Sequence, residues 1–171
     1  MTEYVALLRA VNVGGTGKLP MAELKEMCVA LGFVGVRTYI ASGNVVFATD
    51  LSEAEVKGAL EECLRAFAGK PVGVMVRTAQ EMAEVLSANP FPNAPGNRTV
   101  ALFLDAPPPA DTLETVRNKL DEKVALGKRE IYVTYGSRMG SSKLVIPAGA
   151  TGTARNMNTI AKLVELSREL S

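Results

Sequence analysis

The chain contains no histidine and no tryptophan, and each absence removes chemistry. Without imidazole there is no Ser-His or Cys-His nucleophile pair, no histidine general base and no ordinary zinc site. Any reaction would fall to Lys, Arg, Ser, Thr, Tyr, Cys or carboxylates, so no metal and no cofactor are expected. Aromatics make up only 5% of the 171 residues, which speaks against the stacking platforms of an RNA-binding sheet. Charge of one sign is missing too: 19 basic against 18 acidic residues give no field that would draw nucleic acid or an anionic membrane. No apolar run approaches bilayer thickness, and Glu3 and Arg9 interrupt the apolar start, so a cytoplasmic location is the expectation. Cysteine is scarce. Cys28 and Cys63 cannot make a disulfide framework, and both fall on apolar helix faces, where a thiol packs as a small hydrophobe.

What is present is a well-punctuated alternation of elements. Tyr4 to Val11 is apolar apart from Arg9, the mark of a strand covered on both faces. Pro20 suits a helix start, and Met21, Leu24, Met27, Cys28 and Leu31 form a 3.6-period stripe that Gly32 ends. Val36 to Ala41 and Val45 to Ala48 read as strands joined through Ser42-Gly43-Asn44. Ser52 and Glu55 form a capping box ahead of a helical face of Val56, Ala59, Leu60, Cys63, Leu64 and Phe67. Val72 to Arg77 closes a β-α-β-β-α-β unit, the ferredoxin-like order. Thr78 and Glu81 cap a short helix to about Ala88, and the Pro-rich stretch 89–97 is expected to connect two halves.

The second half reads as a weaker copy. Val100-Ala101-Leu102-Phe103 echoes Val5-Ala6-Leu7-Leu8, and Tyr132 to Gly136 echoes Tyr39 to Gly43. Between them a helix is expected over about Asp111 to Leu120, with Leu113, Val116 and Leu120 inward and Pro107-Pro108-Pro109 fixing its entry. A last helix is expected from about Thr153, carrying Met157, Ile160, Leu163, Val164 and Leu170. The fold class is therefore α+β: two ferredoxin-like (βαββαβ-type) subdomains packed together, with antiparallel sheets, over residues 1–88 and 89–171. The second apolar face of the first strand must be covered, because a wet face forfeits about 1.5–3 kcal/mol per large side chain. The second half is the expected cover and another copy of the chain the alternative, leaving monomer or homodimer open.

Three segments carry a resemblance. Arg9 to Gly15, Thr38 to Phe47 and Thr153 to Thr159 together resemble the bacterial family called domain of unknown function 1697, over nearly the whole chain. The resemblance implies two ferredoxin-like subdomains and supplies no reaction. The chain departs from the family pattern where Ala10-Val11 replaces Gly-Ile, where Met157 replaces Trp, and in a shorter link from Leu144 to Thr153.

Candidate chemistry concentrates in polar islands at strand ends. Gly14-Gly15-Thr16-Gly17-Lys18 is not a phosphate loop: the leading glycine is missing, and Leu19 stands where a magnesium-binding hydroxyl is needed. It is a flexible strand-to-helix link or a looser anion cradle of backbone N–H groups, in which Gly14 and Gly15 would serve. Asn44 belongs to a tight turn or offers its amide to a ligand. From Ile131 to Val164 no acidic residue occurs, while Arg138, Lys143, Arg155 and Lys162 do. With Thr153 as cap, Arg155 and Asn156 would stand in a helix's first turn, where an arginine costs about 0.3–1 kcal/mol. One charge-assisted hydrogen bond to an anion returns about 1.5–3 kcal/mol; a structural ion pair is the competing account. Ser141-Ser142-Lys143 raises a Ser-Lys nucleophile, but a solvated turn explains it better. The expected function is thus the binding of a small phosphate- or carboxylate-bearing ligand. Gly14 and Gly15 would form the cradle, Arg9, Lys18, Lys143 and Arg155 supply charge, and Asn12, Asn44 and Asn156 supply amides. A histidine-free, metal-free enzyme and a protein-interaction module are the alternatives.

Overall fold

The apolar first segment forms the strand that each neighbour needs. In the computed structural model, which describes residues 1–13 and 17–170, β1 (Thr2–Leu8) lies inside a four-stranded antiparallel sheet. After it come α1 (Met21–Ala30), β2 (Val34–Tyr39), β3 (Asn44–Thr49), α2 (Glu53–Ala68) and β4 (Val74–Thr78). The sheet order β2-β3-β1-β4 is the ferredoxin-like order. α3 (Ala79–Ser87), β5 (Thr99–Phe103), β6 (Lys123–Leu126), β7 (Glu130–Thr134), β8 (Thr153–Asn156) and α4 (Met157–Arg168) follow, with a second antiparallel sheet ordered β6-β7-β5-β8. Substituting β5 for β1, β6 for β2, β7 for β3 and β8 for β4 turns one order into the other. The α+β class with two sheet–helix subdomains is the observed one.

The chain divides into two compact units, residues 1–83 with the C-terminal stretch from Lys162, and Glu84–Ala161. In the first unit, Tyr4, Ala6 and Leu8 of β1 and Val45 and Phe47 of β3 meet Leu24 and Cys28 of α1 and Val56, Leu60 and Leu64 of α2. Phe33 stacks on Phe47 with ring centroids 4.3 Å apart. The local signals act as read. Ser52 and Glu55 form the reciprocal capping box of α2, and Thr78 and Glu81 form that of α3. Gly32 takes φ 86° just past α1. Burial pushes the Cys28 thiol up to about 12, the mark of a packed rather than a reactive group. The opposite face of the first sheet is also buried, at Val5, Leu7 and Val46. Within the first unit Arg37 of β2 pairs with Glu169.

The second unit departs from the expected copy. No helix forms over Asp111 to Leu120: a single 3₁₀ turn, Thr112–Thr115, gives way to extended chain, and Arg117 and Val145 exchange two backbone hydrogen bonds of 2.9 Å. Leu113 and Leu120, expected inward, are exposed, and Asn118 turns the chain with φ 59°. Three apolar positions could not hold a helix whose other residues include Thr112, Thr115 and Asn118, with no side-chain cap at Asp111. The Pro107-Pro108-Pro109 run accordingly leads to the 3₁₀ turn and to no α-helix. Nor does the last helix start at Thr153. Thr153–Asn156 is a strand paired with β5, and α4 begins at Met157. The apolar stripe Met157, Ile160, Leu163 and Val164 is buried as expected. Of the sequence echoes, Tyr39 ends edge strand β2 whereas Tyr132 sits in inner strand β7, so that match is fortuitous.

Candidate functional site

The polar residues at the end of β1 are held by backbone geometry before any ligand is considered. Leu8 N–H donates to the Gly43 carbonyl at 2.8 Å and Arg9 N–H to the Gly73 carbonyl at 2.9 Å. Gly43, with φ 91°, presses so closely on Leu8 and Val11 that a Cβ there would stand 2.8 Å from Val11 Cγ2. Beyond β1, Ala10 and Asn12 both adopt φ 55° around buried Val11. Asn12 then clamps the loop. Its Nδ2 donates to the carbonyls of Leu19 and Ala41, each at 2.8 Å, and its Oδ1 accepts the Leu19 N–H at 2.7 Å. The neighbour of that clamp is Lys18.

The other wall comes from the end of α2. Gly69 closes the helix in the left-handed conformation, its N–H donating to the Arg65 carbonyl at 2.9 Å, and the chain turns through Lys70 to Gly73. Glu61 anchors the far side of this turn by accepting from Val74 N–H at 3.1 Å and from Lys57 Nζ at 3.0 Å. Between the walls lies a cavity of about 590 Å³, lined by Arg9, Lys18 and Lys70 around an apolar surface that includes Leu64, Phe67 and Val72. No acidic residue lines it among the described residues. A second concavity of about 600 Å³ shares Gly17, Lys18 and Leu19 and is bordered by Asn12 and Ala41.

Of the residues singled out by sequence, Arg9 and Lys18 thus share one cavity, and Asn12 and Lys18 share its neighbour. Gly14 and Gly15 lie outside the described residues. Asn44 is fully buried and serves the turn, its Nδ2 donating to the Tyr39 carbonyl and to Ser42 Oγ, both at 2.9 Å. Sequence reasoning missed Lys70 and misjudged Phe67. The apolar period of α2 places the ring on its inward face, yet it is 46% exposed and lines the cavity. The available signal was position: Phe67 lies in the final turn, two residues before the Gly69 cap, where a helix leaves the core.

Lys143, Arg155 and Asn156 belong to the second unit. Asn156 caps α4, its Oδ1 accepting the Thr159 N–H at 2.9 Å. Arg155 is not in the first turn of a helix. It lies in β8 with 7% exposure, and its Nη1 donates to Thr153 Oγ1 at 2.8 Å and to the Ala154 carbonyl at 2.9 Å. Burial pushes its guanidinium down to about 10. Lys143 lines a concavity of about 920 Å³ together with Arg138, Asp121 and Glu122, a lining of both signs. There Ser142 Oγ donates to Glu122 Oε2 at 2.5 Å and Ser141 Oγ to the Arg138 carbonyl at 3.2 Å. Both hydroxyls are engaged away from Lys143, against a Ser-Lys nucleophile. The Ser142 hydroxyl, and after it the Leu120 N–H, hold the Glu122 carboxyl below the usual range. Among the described residues no group of three or more Cys, Asp or Glu could hold a metal ion, and no helix is long and apolar enough to cross a membrane.

The family model described as "Protein of unknown function (DUF1697)" matches residues 1–132. Among solved structures, the chain is similar to the conserved bacterial protein SP0830 from Streptococcus pneumoniae, with 27% identity and a TM-score of 0.79. That similarity covers 97% of this chain and 98% of the other. No curated protein matches.

Proposed function

We propose a role for this chain, which belongs to DUF1697, a family of proteins of unknown function: it binds a small anion in the cavity at the end of β1. The observation that carries this reading is the lining of that cavity: Arg9, Lys18 and Lys70 belong to it, and among the described residues no carboxylate does. With 19 basic and 18 acidic residues, an indifferent surface would intersperse the two signs. The cavity's volume is also in the range of small-ligand sites. In this reading Arg9, Lys18 and Lys70 supply charge, and Asn12 positions Lys18 through the Leu19 clamp. The second-unit residues Lys143, Arg155 and Asn156 are not needed.

Thermal melting tests the reading directly. Sodium phosphate or sulfate should raise Tm above sodium chloride of equal ionic strength. Saturation at a hundred times Kd adds about 2.7 kcal/mol, and each kcal/mol moves Tm by about 2–4 °C in a chain of this size. Lys70→Glu, a change in an exposed turn, should abolish the response while leaving Tm in chloride nearly unchanged. Identical melting curves in chloride, sulfate and phosphate at millimolar concentration would end the proposal.

A further inference from the structure

Resting on the anion reading above, we infer that the ligand is a phosphate monoester whose organic part is a flat ring, stacked on Phe67. Two observations carry this beyond the anion itself. First, three cations line the cavity, and a phosphate monoester carries about −1.5 to −2 at neutral pH, whereas a single carboxylate brings only −1. The charge of the lining matches the dianion better.

Second, the apolar part of the lining includes an aromatic ring that the fold does not bury. The inward face of α2 is closed at Val56, Leu60 and Leu64, each with at most 1% exposure, and then opens at Phe67 with 46%. Phe67 lines the same cavity as the three cations, with Val72 and Pro71 on the adjoining turn. A half-wet ring beside cations offers a face to another ring, and stacking adds to what apolar cover alone would give. A saturated chain would gain nothing from Phe67 that a leucine could not supply. The ring at position 67 is therefore the feature that selects a flat ligand.

Calorimetric titration of the full chain with inorganic phosphate, butyl phosphate and phenyl phosphate tests this. At alkaline pH, where both esters are dianions, they carry the same charge and differ in flatness. Phenyl phosphate should bind about tenfold more tightly than butyl phosphate or better, a factor typical of one aromatic stacking contact. Adenosine 5′-monophosphate should share that advantage. In Phe67→Leu, which keeps apolar cover without a ring, the preference should vanish while inorganic phosphate binds as before. Equal affinity for the two esters, or a preference that survives Phe67→Leu, would overturn the flat-ring inference and leave the anion site standing. Failure of all four probes, inorganic phosphate included, would overturn both.

Discussion

Ala10 occupies a conformation that suits glycine. Its φ of 55° lies in the left-handed region, as does that of Asn12 two residues on, but the two residues meet the strain differently. Asn12 is of a type that tolerates this region and gains three hydrogen bonds there, to Leu19 and Ala41. Ala10 has no side-chain bond to gain. The backbone angle asks for glycine, and the alanine of this chain carries a cost of about 1–2 kcal/mol. Replacing it with glycine removes that strain and restores about 0.4–1 kcal/mol of unfolded-state entropy, so the first effect wins by a modest margin. Ala10→Gly should therefore stabilise the protein by about 0.5–1 kcal/mol in urea unfolding. A loss of stability would mean that the loop at the end of β1 is relaxed as it stands.

At the scale of elements, the first unit is legible because three of its helix boundaries are written twice, in periodicity and in a cap. Ser52 with Glu55, Thr78 with Glu81, and Gly32 stop or start helices whose apolar stripes already agree. The second unit lacks that agreement. The spacing of Leu113, Val116 and Leu120 suggests a helix, but the intervening residues and the Arg117–Val145 bridge favour extended chain. β8 is not readable from sequence because Thr153-Ala154-Arg155-Asn156 has no apolar alternation; the pairing with β5 decides it. In that irregular unit Glu122 acts as a fastener, accepting from Ser142 Oγ and from Leu120 N–H. Its carboxyl titrates lower when folded than the ordinary value near 4.3, so its contribution is fully present above that value and is lost as pH falls through the folded pKa. Ser142→Ala should raise the pKa of Glu122. The stability difference from the parent chain should be greatest near neutral pH and shrink toward the acid limit. Denaturation series between pH 3 and pH 7 read this, and a difference independent of pH would show that the Ser142 contact does not act through the carboxylate.

Across the whole molecule the strand order is duplicated but the cation cluster is not, and helix starts and ladders align the two copies better than the sequence echoes do. β1 places Tyr4 opposite Phe47 and Thr78, while β5 places Val100 opposite Val133 and Asn156. α3 and α4 start directly after Thr78 and Asn156, so those two correspond and so do their partners Tyr4 and Val100, one residue out of step with the match of Val5 to Val100 that similarity suggests. The same step aligns Arg77 with Arg155, and the caps Thr78 and Asn156 that follow them. It also aligns Leu8, whose N–H donates to the Gly43 carbonyl, with Leu104, whose N–H donates to the Arg129 carbonyl. The next position is then Arg9 in one unit and Asp105 in the other. Sequence reading found Arg9 and Lys18 because they flank a glycine-rich break, but Lys70 reaches the cavity only through the left-handed turn at Gly69, which no local motif connects to β1. If affinity came from the scaffold, with strand-end amides aimed at an anion, two sites would be expected. If it comes from Arg9, Lys18 and Lys70, the charge reversal at Asp105 leaves one. Calorimetric titration with phosphate should accordingly give one anion per chain, and Arg9→Asp should reduce that to none. A stoichiometry of two, with one site surviving in Arg9→Asp, would transfer the function from the three cations to the repeated fold.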